Sequence, residues 1–264
     1  MSKSQQELKK EEYLNDLYNL QIGETSILSA SKQKEIEHKK KLVRILKSNT
    51  IPDELLLDNI GLFIRRQQLS RILLMNKLYK KIVKVNGVIM EFGVFFGQNL
   101  SLFSSLRGIY EPYNYNRKII GFDTFEGFPN VNLDKDGNHE IIKKGSYSVS
   151  ERYENTLKDI LSIHEYNSPL NHINKYELIK GDASITIEKY LQKEPQTIIS
   201  LAFFDFDIYE PTKNCLEKIL PRLVKGSILV FDELNCKAFP GETIAYNEVL
   251  GLNNYRLNRD KNNS

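Results

Sequence analysis

The chain has 264 residues, with 37 basic and 34 acidic side chains for a formal charge of +3, and 41% of it is hydrophobic. That length suits one sizeable α/β domain with an added element, and the apolar content excludes a disordered composition. The balanced charge gives no ground for nucleic-acid binding, no run of about 18 apolar residues is present to cross a membrane, and Cys215 and Cys236 lack metal-ligand or disulfide spacing.

Met1 to Glu12 is charged and lacks the apolar stretch of a signal peptide, so a cytoplasmic protein is expected. Residues 1–85 hold little glycine and carry apolar side chains at helical spacing, as in Leu42, Val43, Ile45 and Leu46 and again in Leu69, Ile72, Leu73 and Leu78. A helical N-terminal extension is expected there, covering the site or forming the dimer face of a homo-oligomer. Ile51-Pro52-Asp53 reads as a helix start. The seven Lys/Arg between Lys32 and Lys47 read as a solvated helix face, or else as a site for an anionic substrate.

From residue 86 to 264, short apolar runs alternate with amphipathic segments. The runs are Val88–Phe92, Lys118–Asp123, Glu177–Asp182, Ile198–Phe204 and Ser227–Phe231. Helices are expected at Asn99–Gly108, Ile185–Leu191, Pro211–Leu223 and about Thr243–Leu250. Buried strands alternating with helices predict a Rossmann-like, doubly wound, mostly parallel sheet. The polar, lysine-rich stretch Asn130–Glu151 exceeds an ordinary connection, and a mobile functional lid is expected there.

Ligands of an open parallel sheet bind outside the carboxyl ends of its strands. The residues at those ends are acidic or glycine: Glu91 and Gly93, Asp123, Asp182, Asp205 and Asp207, Asp232 and Glu233. A sheet built only for stability has no need to repeat carboxylates along one rim. In Glu91-Phe-Gly93-Val-Phe-Phe-Gly97 the glycines allow a tight turn and close approach to a ligand, or simply a tight turn. This is not the G-x-G-x-x-G that cradles a pyrophosphate, and a carboxylate ahead of the glycines would repel phosphate. It suits a cationic cofactor without phosphate, such as S-adenosylmethionine (SAM), which carries an ammonium and a sulfonium. Asp123 stands where ribose hydroxyls would be held, and Asp182, in Gly181-Asp182-Ala183-Ser184, where an adenine edge would lie.

Asp205 and Asp232 are expected to end successive strands, and a helix between them would return the chain and bring the two carboxylates side by side. With Glu233 they offer three hard oxygen ligands for Mg²⁺ or a similar divalent ion. Such an ion would lower the pKa of a bound hydroxyl, with Asp207 as general base. The competing reading is that these acids cap helices or pair with Lys and Arg, as Glu210-Pro211 at a helix start suggests.

Glu91-Phe-Gly-Val-Phe-Phe-Gly97, Gly121-Phe-Asp-Thr-Phe-Glu-Gly-Phe-Pro129, Asp205-Phe-Asp-Ile-Tyr-Glu-Pro-Thr212 and Asp232-Glu233 together resemble the macrocin O-methyltransferase (TylF-type) family. Its members are class I SAM-dependent enzymes that methylate sugar hydroxyls, commonly with Mg²⁺, on glycosylated natural products or nucleotide-linked sugars. The resemblance runs from about Gly87 to Tyr255. It implies that Glu91, Gly93, Asp123 and Asp182, with Gly97 and Ser184 beside them, face SAM. It implies likewise that Asp205, Asp232 and Glu233 hold the metal, with Asp205 and Asp207 in the catalytic roles and a sugar or nucleotide-sugar as acceptor.

Two departures stand out. Asp232-Glu233 occupies a place where the family often has two aspartates, and no closing pair of antiparallel strands is legible after Asn254–Asn258. The acceptor pocket is expected to use Phe239 and Glu242, which otherwise form a turn and a helix start. Tyr209 would pack on a sugar ring or fill core, and His139 would touch substrate from the lid or be solvated. Asp205-Phe-Asp207 also admits a metal-dependent glycosyltransferase, and a non-catalytic SAM-fold binding module is a further alternative. A nicotinamide dehydrogenase would need a third glycine.

Overall fold

The alternation of apolar runs with amphipathic segments produces a five-stranded parallel sheet between two layers of helices. The computed structural model describes residues 18–22, 25–29 and 33–260. Strands β1 (Tyr18–Ile22) and β2 (Thr25–Ser29) pair antiparallel. This hairpin corrects the expectation of an all-helical extension. Asn19 and Gln21 alternate with Tyr18, Leu20 and Ile22, a two-residue period that a search for helical spacing passes over.

Helices α1 (Gln33–Leu46) and α2 (Asp53–Leu56), a 3-10 turn (Ile60–Phe63) and α3 (Arg66–Ile82) follow. Lys39, Lys40, Lys41 and Arg44 on α1 are exposed, as a solvated face requires. Helix α3 is different: Met75, Leu78, Tyr79 and Ile82, spaced i, i+3, i+4, i+7, are buried against the sheet. The last helix of the expected extension therefore belongs to the same core as the strands.

The sheet and its crossovers run β3 (Val88–Phe92), α4 (Gln98–Tyr110), β4 (Ile119–Asp123), α5 (Leu133–Asp136), α6 (Tyr153–Tyr166), β5 (Tyr176–Lys180), α7 (Ala183–Lys193), β6 (Ile199–Phe204), α8 (Tyr209–Ile219), β7 (Leu223–Phe231) and α9 (Gly241–Leu250). Spatial order is β5-β4-β3-β6-β7, with every pairing parallel. No strand follows α9 among the described residues. Strand period 2 divides the core: Met90, Phe92, Phe122 and Phe204 face α7, α8 and α9, while Ile89, Ile119, Leu201 and Phe203 face α3, α4 and α6. Stacked rings of Phe122, Phe92, Phe204 and Phe231, with centroids 4.8–5.1 Å apart, tie four strands together beneath the carboxyl rim. The order reverses between β3 and β6, so the crevice where ligands bind in such sheets opens at that point.

Candidate active site

The sheet ladder continues one residue beyond the strands, and this sets the level of the acidic side chains. Asp205 N–H donates to the Phe92 carbonyl at 2.8 Å, Asp232 N–H to that of Phe204 at 3.1 Å, and Gly181 N–H to that of Asp123 at 2.8 Å. Gly93, at φ +89°, lets β3 pass so close to β6 that a Cβ there would run into the Asp205 carbonyl oxygen. A cavity of about 460 Å³ opens above this rim, within the range of a small-ligand site. Glu91, Gly93, Asp123 and Asp182 line it, and so do Asp205, Asp207 and Asp232.

Glu91 is 1% exposed; its Oε1 accepts from Asn99 Nδ2 at 2.8 Å, and its buried Oε2 has no hydrogen-bond partner among the described residues. Burial pushes its pKa well above the usual carboxylate range. Asp123 Oδ2 accepts the N–H groups of Val94 and Phe95 at 2.6 and 2.8 Å, and Oδ1 accepts that of Phe125 at 2.6 Å. The carboxylate thus shapes the glycine turn and also presents its remaining lone pairs to the cavity. Asp182 Oδ1 caps α7 by accepting from Ser184 N–H at 2.9 Å.

Asp207 is buried, lines the cavity and sits at φ +64°. Burial, and then the charge of Asp205, raises its pKa well above normal. Burial and Asp232 push Asp205 up to about 8, with the Arg71 guanidinium acting the other way.

Other sequence candidates lie elsewhere. Gly97 starts α4 at φ +79° and packs on Leu157, and Ser184 serves through its backbone. Glu242 is fully buried: Oε1 accepts from Phe206 N–H at 3.3 Å and Oε2 from Glu233 N–H at 3.1 Å, so it cross-links the loops after β6 and β7 rather than facing the cavity. Phe239 is buried with Phe128, Ile141, Ile142, Ile208 and Ala238. Tyr209 donates its hydroxyl to Glu248 at 2.6 Å under the ammonium groups of Lys135 and Lys213, and His139 Nδ1 accepts from Ile141 N–H at 3.4 Å inside its own turn. None of these four lines the cavity. The lid around them is held down by Ile141 and Ile142, and by Asp136, which accepts from Asn132 N–H at 2.7 Å and from Tyr209 N–H at 2.5 Å.

The residue that sequence reasoning missed is Arg71. From α3 its NH1 donates to Asp232 Oδ1 at 2.6 Å, its NH2 to Asp205 Oδ2 at 2.9 Å and its Nε to Asn99 Oδ1 at 3.1 Å. Its guanidinium carbon lies 4.9 Å from the centre of the Phe203 ring. No spacing marks this arginine out among the basic residues of the N-terminal helices. Asn99 was likewise unread, and it joins Arg71 to Glu91.

These contacts bear on the expected Mg²⁺ ligands. Among the described residues no group of three or more acidic, histidine or cysteine side chains is arranged to hold a metal ion. Arg71 takes one oxygen from each aspartate, and the Glu233 carboxyl accepts from the Cys236 thiol without lining the cavity. A cation placed ~4 Å from the guanidinium would be repelled by roughly 4 kcal/mol per unit charge at an effective dielectric near 20. The donor set in this arrangement does not fit the ion.

Comparison with known proteins agrees with the fold and the motifs. The family model for macrocin-O-methyltransferase (TylF) matches residues 65–248. The crystal structure of CalS11, calicheamicin methyltransferase, is 46% identical with a TM-score of 0.85, over 87% of this chain and 89% of that one. The apo structure of CalS11, described as TDP-rhamnose 3'-O-methyltransferase in calicheamicin biosynthesis, is 42% identical with a TM-score of 0.77, over 87% and 90%. The O-methyltransferase NovP, at 16% identity and a TM-score of 0.51 over 70% and 74%, shares the fold. No curated protein gives a significant match. With its Rossmann-like sheet, its motifs and this match, the chain is a SAM-dependent O-methyltransferase of the macrocin-O-methyltransferase (TylF) family.

Proposed function

We propose that this enzyme methylates a hydroxyl of a nucleotide-linked sugar, using SAM bound over the ends of β3, β4 and β5. The observation that carries the reading is the unpartnered Oε2 of buried Glu91 in a cavity shared with Asp205 and Asp207. A buried carboxylate oxygen without a donor is a costly feature unless a ligand supplies one, and the ammonium of SAM is such a donor. SAM, when bound, supplies a methyl on a sulfonium that an oxygen nucleophile displaces. Asp123 offers its remaining lone pairs to the ribose hydroxyls, and Asp182 stands at the adenine side. Asp207 accepts the proton of the acceptor hydroxyl in the same cavity. The acceptor class is supported by the TDP-rhamnose methyltransferase to which the chain is similar.

Calorimetric titration with SAM and S-adenosylhomocysteine, with NAD as control, tests the cofactor. Incubation with TDP-sugars and with the free sugars, read by mass spectrometry, tests the acceptor. Saturable binding of SAM and its product, and methylation of a TDP-sugar, are expected. Absence of SAM binding together with turnover of a nucleotide-sugar donor would mean that the acidic rim serves glycosyl transfer instead.

A further inference from the structure

We infer that Arg71 is the resident cation of the Asp205–Asp232 pair, so that this enzyme transfers methyl without a bound divalent metal ion. The inference rests on reading this cavity as the methyl-transfer site. Its ground is the geometry of the fork. Each of three guanidinium nitrogens has its own acceptor at 2.6–3.1 Å, and two of the acceptors are carboxylates just past adjacent strands, so both of those hydrogen bonds are charge-assisted. The ring of Phe203 backs the planar group. Arg71 is also carried on a helix whose next turns, through Met75, Leu78 and Tyr79, are locked into the core, so the fork is placed by the scaffold rather than by a loop.

A divalent ion held by Asp205 and Asp232 would find one oxygen of each already bound to Arg71 and would sit beside a fixed positive charge. Arg71 supplies what such an ion would otherwise supply to these residues. It sets its positive charge against the two aspartates and cross-links the loops after β6 and β7, leaving Asp207 to meet the acceptor hydroxyl. Through Asn99 it also fixes Glu91 at the cofactor side. It is a positioning residue; the proton is handled by Asp207.

The experiment uses the full-length chain and Mn²⁺ as the metal probe, with uptake read by electron paramagnetic resonance and methyl transfer assayed in EDTA and in Mg²⁺. The wild type is expected to take up no Mn²⁺ at millimolar concentration and to keep its rate within about twofold in EDTA. Arg71→Ala is expected to lose about 100-fold in kcat in EDTA, to bind Mn²⁺ at the freed aspartates, and to recover partly with Mg²⁺ or with added guanidine. Arg71→Lys, which keeps the charge but loses the fork, serves if the alanine variant does not fold, and an intermediate kcat with an unchanged KM for SAM is expected. Stoichiometric Mn²⁺ uptake by the wild type, or loss of its activity in EDTA with return on Mg²⁺, overturns the inference. A chain that binds no SAM and methylates nothing under any condition overturns the functional reading instead, while the Mn²⁺ measurement still decides the role of Arg71.

Discussion

Glu91 combines complete burial, one satisfied oxygen and one unsatisfied oxygen. A hydrogen bond to a charged group contributes about 1.5–3 kcal/mol, so Glu91→Gln is expected to weaken SAM binding roughly 10- to 100-fold by calorimetry. The raised pKa gives this a sign. In the empty protein Glu91 holds its proton above the usual range, and a cationic ligand favours the ionised form. Affinity for SAM should therefore rise with pH through the raised value and level off above it, with proton release visible in buffers of different ionisation enthalpy. The glutamine variant should lose that slope. Folding follows the same linkage: charging Glu91 opposes folding as pH rises above the ordinary carboxylate range, and the bound cation relieves it.

Asp207 sits at φ +64°, a conformation that asparagine also tolerates, so Asp207→Asn should fold normally. Loss of the base should lower kcat by about 10²–10⁴ with SAM affinity unchanged, as steady-state kinetics beside calorimetry would read. Glu242 has a different task. Its alanine variant would leave the Phe206 and Glu233 N–H groups without partners, and a loss of about 2 kcal/mol in thermal or denaturant unfolding is expected. The sequence shows an acidic residue at both positions. Only their surroundings separate a group that lines the cavity from one that holds two loops.

Among the elements, the strands were legible because each is a short apolar run ending in an acid or glycine, and the observed β3, β4 and β6 fall within a residue of the expected runs. Helix α6 went unread although Leu157 and Leu161 repeat at helical spacing, because lysine, asparagine and aspartate dilute the pattern. The lid misled in the opposite way. Its average composition is polar, yet Ile141 and Ile142 are buried and anchor it. Ile141→Ala is expected to remove about 2–4 kcal/mol of packing from this small cluster, seen as faster amide exchange in residues 137–147 while β3 keeps its protection. A second tether is the Lys135–Glu248 bridge at 2.7 Å, in which Lys135, Lys213 and Tyr209 lower the Glu248 carboxyl to about 2. This bridge is fully formed above the ordinary glutamate range and weakens as pH falls towards that lowered value.

For the whole molecule, no side chain of α1 or α2 among the described residues is buried, and Leu57 and Leu62, which follow α2, are 78% and 68% exposed. We propose this surface as the meeting face of a homo-oligomer. A variant beginning at Ile64 should keep SAM binding and cooperative unfolding, because the core starts with α3, and should elute as a monomer in size-exclusion chromatography. Unchanged self-association would place the interface elsewhere.

The sequence by itself determined the Rossmann-like sheet, the glycine turn after β3 and the acidic rim. These are local properties: strand period, run length and the residue type at a strand end all lie within a few positions of one another. Only the tertiary structure decided which acids face the cavity and what neutralises them. Arg71 meets its aspartates across 134 and 161 positions of chain, a meeting made by the packing of α3 on the sheet and by no pattern that neighbouring residues share.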